Sequence, residues 1–418
     1  MFNRLFFFLA AFACTAVVAF SQSTFGTFVG TVHDPSGSVI GACKVTATNK
    51  GTDAQRSTIT DASGNYEILN LEPGTYEIAI EAPGFQRTIF QSLELDARQT
   101  IRVNAKLAVA TQSNTINVSQ GAEAPINTEV SNIAETKLGR ELNDLPVAIG
   151  SRASGSTSAF TTLTTQPGVE VDNSGNLSVA GSKPSMLSIS IDGISTMSPR
   201  NTSPISELFP SFDGIAEIRV SEINNSAEFG GVSDITTISK GGTNTFHGGV
   251  YENNQNTDFN ARNTFSATVP KLDLNDFGGF IGGPVIIPHL YHGKDKTFFF
   301  ASYEALRLPS QQVLVESVPS AALRSGDLSV YSGKILDPTS GAPFPNNQIP
   351  SSRIAPLSAA ALKYLYPLPN TGAPGAVANN YVTNFPTPIS SNQGDVRGDQ
   401  KITNNQSVFA RFTYKEKL

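Results

Sequence analysis

The sequence predicts a mainly β chain: an N-terminal β-sandwich, then an α+β domain, then the first strands of a membrane β-barrel. Three observations carry its β-dominated character. Short runs of alternating apolar residues recur between clusters of Gly, Asn, Pro and Ser, which is how strands and turns are spaced. Charged residues make up 15% of the 418, where an ordinary soluble protein has about 25%. Gly (35) and Pro (25) are abundant and Trp is absent. A helical bundle would need far more Glu, Lys, Ala and Leu at helical spacing. The net charge of −6, with no basic run, argues against nucleic acid as a partner.

The first element is an export signal at residues 1–21. Arg4 precedes an apolar run from Leu5 to Phe20, and Ala19-Phe20-Ser21 places small residues where a signal peptidase reads them. An uncleaved anchor would need about twenty apolar residues, more than this run supplies. Ala11-Phe12-Ala13 before Cys14 is a poor match to a lipidation site, and no later segment is apolar enough for a membrane helix. Cleavage leaves Cys43 as the sole thiol, in a strand-like setting that suits a buried structural Cys.

Residues 22–110 read as the sandwich. Phe28-Val29-Gly30-Thr31-Val32 alternates and Asp34-Pro35-Ser36-Gly37 turns. Val45-Thr46-Ala47-Thr48 alternates and Asn49-Lys50-Gly51 turns. Asp61-Ala62-Ser63-Gly64 leads into Asn65-Tyr66-Glu67-Ile68, and Pro73-Gly74 into Thr75 to Ile80. Gly30-Thr31-Val32, Thr60-Asp61 with Gly64-Asn65-Tyr66, Leu71 with Pro73-Gly74-Thr75-Tyr76, and Gly84-Phe85 make this segment resemble the carboxypeptidase regulatory-like family, a transthyretin-like sandwich. Peptidase activity does not follow: no His has Glu three residues on, so the zinc-binding His-x-x-Glu is missing. A docking or spacer module is the expectation.

Residues 111–244 carry an ordered set of short motifs. These are Leu142-Asn143-Asp144-Leu145-Pro146, Gln166-Pro167-Gly168-Val169, and Ile189 to Ile194 with its Asp192-Gly193 turn. Then come Phe212-Asp213-Gly214, the strand-like Ile215 to Val220 with Glu217, Ala227-Glu228-Phe229-Gly230-Gly231, and Ser239-Lys240-Gly241-Gly242-Thr243-Asn244. Each alone is generic turn chemistry. In this order they resemble the plug domain of TonB-dependent receptors, in the Oar-like branch that carries a regulatory-like sandwich. The resemblance makes Asp192, Gly193, Glu217, Glu228, Phe229, Gly230, Lys240, Gly242, Thr243 and Asn244 the plug motif. Two stretches depart from it. Val147-Ala148-Ile149-Gly150 stands where the family often has Asn-Gly-Arg, and 151–165 is Ser/Thr-rich without a recognisable motif. The segment that pairs with TonB by strand addition is expected at Asn114, Thr115, Ile116, Asn117, Val118 and Ser119; an ordinary linker strand is the alternative.

Residues 245–418 read as barrel strands at Thr245–Tyr251, Asp276–Pro284, 296–315, Asp395–Ile402 and Ser407–Tyr414. In the last, Val408, Ala410, Phe412 and Tyr414 face one way and Ser407, Phe409, Arg411 and Thr413 the other, as a lipid-facing strand requires. Segments 254–274 and 317–394 are the long outer loops, the second Pro-rich with a short helix near Ala359–Tyr364, and 286–295 and 403–405 the short turns. For the strands to alternate in direction, 296–315 must be one strand with Pro309 at a bulge or above the membrane. Five strands cannot close a barrel of about 22, so the chain is expected to be an N-terminal fragment.

Catalytic and metal constellations are missing. There is no Gly-x-Ser-x-Gly, phosphate loop or His-Glu-x-x-His. His289 and His292 sit in a turn, and the oxygen-rich loop Asp172 to Asn176 lacks the Glu that closes a calcium loop. The resemblance therefore implies no enzyme and no cofactor. It implies an outer-membrane receptor whose sandwich lies in the periplasm, bathed by outer-membrane lipid, taking up an unidentified extracellular ligand under the drive of TonB–ExbB–ExbD. A structural or adhesive surface protein is the alternative. An accessory domain of a secreted peptidase is the third reading, and the missing zinc ligands count against it.

Overall fold

A computed structural model describes residues 23–110, 116–119, 129–144, 159–171, 176–198, 200, 204–205, 208–225, 230–262, 264, 269–404 and 406–418. The signal segment 1–21, Asn114, Thr115, Val147 to Gly150, residues 151–158, Asp172 to Gly175, Glu228 and Phe229 lie outside these residues.

Nine strands build the N-terminal region: β1 (Gly26–His33), β2 (Lys44–Asn49), β3 (Gln55–Ile59), β4 (Asn65–Leu71), β5 (Gly74–Glu81), β6 (Thr88–Leu95), β7 (Thr100–Arg102), β8 (Ala105–Lys106) and β9 (Ile116–Ser119). They form two sheets, β4-β1-β7 with β8 beside β1, and β3-β2-β5-β6-β9. Every second residue of β1 is buried, the period-two pattern of a strand with one face on a core. Phe28, Val45, Tyr66, Tyr76, Ile78 and Leu95 belong to that core, and Cys43 is fully buried within it. The rings of Phe28 and Tyr76 meet edge-on at 5.6 Å. β9 falls in the segment expected to be a TonB-pairing or ordinary linker strand, and it runs parallel to β6 and widens the sheet.

The central region has a five-stranded sheet in the order β10-β15-β16-β13-β14. Its strands are β10 (Ile133–Leu138), β13 (Leu187–Ile191), β14 (Ile194–Ser195), β15 (Ile215–Ile223) and β16 (Ser233–Ser239), with a separate hairpin of β11 (Val169–Val171) and β12 (Leu177–Val179). β15 and β16 are antiparallel and β13 and β16 parallel. Helix α1 (Gly139–Asp144) follows β10. Leu142, Leu163, Ile189, Phe212, Ile218 and Ile235 pack in one core. Every residue of β16 is buried, so this strand is covered on both faces.

The C-terminal sheet joins β17 (His247–Gln255), β18 (Leu274–Pro284), β21 (Thr297–Leu308), β24 (Ile389–Thr403) and β25 (Gln406–Lys417) in chain order. A two-stranded hairpin, β19 (Ile286–Ile287) with β20 (Tyr291–His292), makes the 286–295 turn. The expected third strand is corrected here. It stops at Leu308, because Pro309 has no N–H to give a ladder, and β22 (Gln311–Glu316) pairs instead with β23 (Tyr381–Pro386). The long loop is thereby shortened, since β23 and the start of β24 occupy residues assigned to 317–394. Order in the main sheet survives because β22 and β23 form a ladder of their own.

The chain divides into two compact units. One holds the residues up to Glu252 with Phe277–Ala305 and Ser391–Lys417; the other holds Asn253–Asp276, Leu306–Ser390 and Leu418. In the second, Leu274, Leu306 and Leu308 form a small core. Its loop carries α2 (Ala321–Arg324) and α3 (Pro356–Tyr364), the latter where a short helix was expected. The guanidinium of Arg353 forks onto Asp337 at 3.0 and 2.8 Å. That pairing and the Thr339 N–H hold the Asp337 carboxyl well below the usual carboxylate range. Among the described residues no helix is long and apolar enough to cross a membrane.

Candidate functional site

The site grows from one turn. Asp192 and Gly193 join β13 to β14 with φ of 50° and 82°. Two successive positive φ values make a type I′ hairpin turn, and Asp-Gly is a pair that enters it at little cost. The turn carries the Asp192 carboxylate back over the end of β16. There Oδ1 accepts the Ser239 N–H at 2.9 Å and Oδ2 accepts the Ser239 hydroxyl at 2.8 Å.

Two arginines from the C-terminal sheet meet this carboxylate. Arg397 on β24 lies 3.4 Å from Oδ1 and Arg411 on β25 lies 3.1 Å from Oδ2. Arg397 also donates to the Ser239 hydroxyl (2.7 Å) and carbonyl (3.0 Å), pairs with Asp399 at 2.8 Å and rests 4.4 Å above the Phe409 ring. The side chain of Asp192 is only 4% exposed. A carboxylate so buried is tolerable because charged and hydroxyl donors surround it. Further along β24, Asp395 accepts the Ser211 N–H (3.0 Å) and the Thr413 hydroxyl (2.7 Å), and Gln393 donates to the Phe209 carbonyl (2.9 Å). The inward face of β24 and β25 is thus pinned to the central region by polar bonds, while Val408, Ala410, Phe412 and Tyr414 on the other face of β25 are exposed.

A second junction ties the sandwich to the central sheet. The turn after β6 presents Asp96, Ala97 and Arg98. The Ala97 N–H donates to Glu217 Oε1 at 2.7 Å, and Arg98 pairs with fully buried Asp234 at 2.5 Å. Ser188 and Thr236 hydroxyls, each 2.7 Å away, complete the Asp234 shell. A third junction centres on Asn244. Its N–H donates to the Gly51 carbonyl (2.8 Å), and its amide donates to Asp53 (3.0 Å) in the sandwich and Asp295 (2.6 Å) in the β20–β21 turn.

Residues 238–417 match the outer membrane beta barrel domain family, and residues 27–108 the carboxypeptidase regulatory-like domain family. The TonB-dependent transporter Oar of Myxococcus xanthus is 29% identical over 304 residues, which cover 68% of this chain and 27% of that relative. Over that stretch the chain is similar to a TonB-dependent transporter of the Oar type. It spans about a quarter of that relative's length. Among solved structures, a ferric enterobactin receptor of Pseudomonas aeruginosa is 11% identical, with 68% of this chain and 33% of that chain covered and a TM-score of 0.37. A catechol 1,2-dioxygenase of Acinetobacter is 12% identical, with 23% and 59% covered and a TM-score of 0.18. Neither likeness is close enough to support an argument. The Myxococcus xanthus relative is named a TonB-dependent transporter.

The fold gathers several of the expected residues and leaves others apart. Asp192, Gly193, Lys240, Gly242, Thr243 and Asn244 lie along the contact between the central region and the β17–β25 sheet, with Lys240 Nζ 4.9 Å over the Phe280 ring. Glu217 is in the central sheet, on β15, and serves the sandwich junction. Gly230 is described and Glu228 and Phe229 are not. Of the expected TonB-pairing segment, Ile116, Asn117, Val118 and Ser119 are described as β9. Among the described residues no group of three or more His, Cys, Asp or Glu could hold a metal.

Arg397, Asp395, Asp399, Arg98 and Asp234 were not singled out from the sequence. The first three stand at alternate positions of one strand, a period-two charge signal, but nothing in their own segment names the partner.

Gly242 has a packing reason. A Cβ there would sit 2.4 Å from the Phe299 carbonyl oxygen and 2.8 Å from that of Gly283. Gly242→Ala is expected to cost about 1–3 kcal/mol by overpacking, read as a lower urea midpoint, with Gly230→Ala, which meets open space, near neutral.

Burial pushes the Glu217 carboxyl from 4.5 up to about 7; the Ala97 N–H opposes the rise, the Asp96 carboxylate adds to it, and Arg219 opposes it. Between those two values the folded chain holds a proton that the unfolded chain has released, so stability falls as pH rises through this window. The contribution lost is roughly 3 kcal/mol. Glu217→Gln keeps an acceptor for the Ala97 N–H and has no proton to lose. The difference in unfolding free energy, variant minus wild type, should rise between pH 5 and pH 8 by about that amount.

Proposed function

We propose that the chain acts in the outer membrane as part of a TonB-driven receptor system, with residues 22–110 as a periplasmic sandwich, 111–244 as linker and plug, and 245–418 as barrel wall. The observation that carries this reading is the Asp192 junction. A central domain held against the inner face of a membrane sheet by Arg397 and Arg411 closes the passage behind that sheet. Those bonds are ionic and multiple, and opening a path past them would break several at once. Oar, the relative named above, is a TonB-dependent transporter, and TonB–ExbB–ExbD is the source of work we assign here. TonB would pair with 114–119 by strand addition and pull on the linker that runs into β10. The exposed apolar face of β25 contacts lipid. The ligand binds from the extracellular side, no bond in it is broken, and no cofactor is used.

The test is capture of the full chain by the periplasmic domain of the host's TonB. Binding is expected, and deletion of 113–119 should abolish it. Equal capture of the deletion variant would contradict the assignment of that segment, and no capture of either would favour a surface protein that acts by adhesion.

A further inference from the structure

We infer that the N-terminal sandwich presents residues 116–119 to TonB as a pre-formed edge strand, so that the partner adds to the outer edge of β9 while β9 stays on β6. This rests on the reading of 114–119 as the TonB-pairing segment.

The argument is one of backbone edges. Successive N–H and C=O pairs of a strand point to opposite sides, so a strand has two edges to offer. β9 spends one on β6, in a parallel register that sets Thr88 beside Ile116, Ile89 beside Asn117, Phe90 beside Val118 and Gln91 beside Ser119. The sheet order β3-β2-β5-β6-β9 ends there, and among the described residues no strand covers the other edge of β9. An open edge of this kind is a template for strand addition. β6 cannot serve in its place as the mobile partner: Leu93 and Leu95 on the same strand are buried in the sandwich core, and its other edge is held by β5. A segment already extended and held in register gives up less conformational freedom on binding than a free linker does. The sandwich thereby acquires a role in docking, beyond that of a spacer.

Two disulfide locks test this in the full chain, Gln91→Cys with Ser119→Cys and Thr88→Cys with Ile116→Cys, each pair being register neighbours. The probe is the periplasmic domain of TonB. The oxidised locks are expected to bind within about threefold of wild type, since the docking edge is untouched. Binding at least about tenfold weaker when oxidised, restored by reductant, would show that β9 must leave β6 and would overturn the inference. Hydrogen exchange on the wild-type chain reads the same point without a variant. Protection of the amides of 88–91 should hold or rise on TonB binding, and its loss would overturn the inference. Deletion of 113–119 without loss of binding would instead contradict the underlying assignment, a result separable from that of the locks.

Discussion

Asp192→Ala is expected to lower the unfolding free energy of the chain by about 3–5 kcal/mol, the usual cost of removing one partner from a buried ion pair. Donors on three residues lose an acceptor at once: Arg397, Arg411, and Ser239 through both its N–H and its hydroxyl. The turn suffers as well, because Asp tolerates φ of 50° and Ala does not. Asp192→Asn separates the two causes. Asn also enters the left-handed region and keeps an acceptor for Ser239, so its loss, about 1–3 kcal/mol, reports the charge alone. Arg411→Gln on the Asp192→Asn background should add little, because the pair is already broken. Urea unfolding of the chain in detergent, followed by tyrosine fluorescence, measures all three.

The second large effect is expected at the sandwich junction. Arg98→Ala leaves Asp234 fully buried with hydroxyl donors and no cation. The expected loss is again about 3–5 kcal/mol. It should be accompanied by faster proteolysis near the sandwich end, because the turn carrying Arg98 is also the one that donates to Glu217. Removing the carboxylate too, as Arg98→Met with Asp234→Asn, should recover part of the loss, since a neutral amide is cheaper to bury than a lone charge. Failure of the double variant to recover would place the cost in packing of the long Arg98 side chain and not in its charge.

Much of the fold was legible because strands with one face buried advertise themselves by alternation. β1, β2 and β5 were readable from their period-two pattern, and β25 from Val408, Ala410, Phe412 and Tyr414 set against Arg411 and Thr413. The Asp192-Gly193 turn was legible because few residue pairs suit two positive φ values. The third barrel strand was not, because whether a chain resumes after Pro309 beside its old neighbour or a new one depends on β23, some seventy residues on. The same holds for the site. Asp192 was identifiable by motif order, but Arg397 and Arg411 are more than two hundred residues away in sequence. Only the sheet brings them together. The Asn244 junction combines sandwich, linker and turn residues from three separate segments, and no local pattern in any of them shows the others.

If the β17–β25 sheet is a membrane wall with the central region behind it, one face of β25 meets lipid and the other does not. The most direct measurement places single spin labels or cysteine-linked fluorophores along β25, from Val408 to Tyr414, in the full chain within outer-membrane vesicles. Lipid-borne quenchers are expected to reach positions 408, 410, 412 and 414 and to spare 409, 411 and 413, where Arg411 and Thr413 bond to Asp192 and Asp395. Quenching by aqueous reagents alone at every position, with no alternation, would contradict a lipid-facing wall and point to a sheet exposed to water.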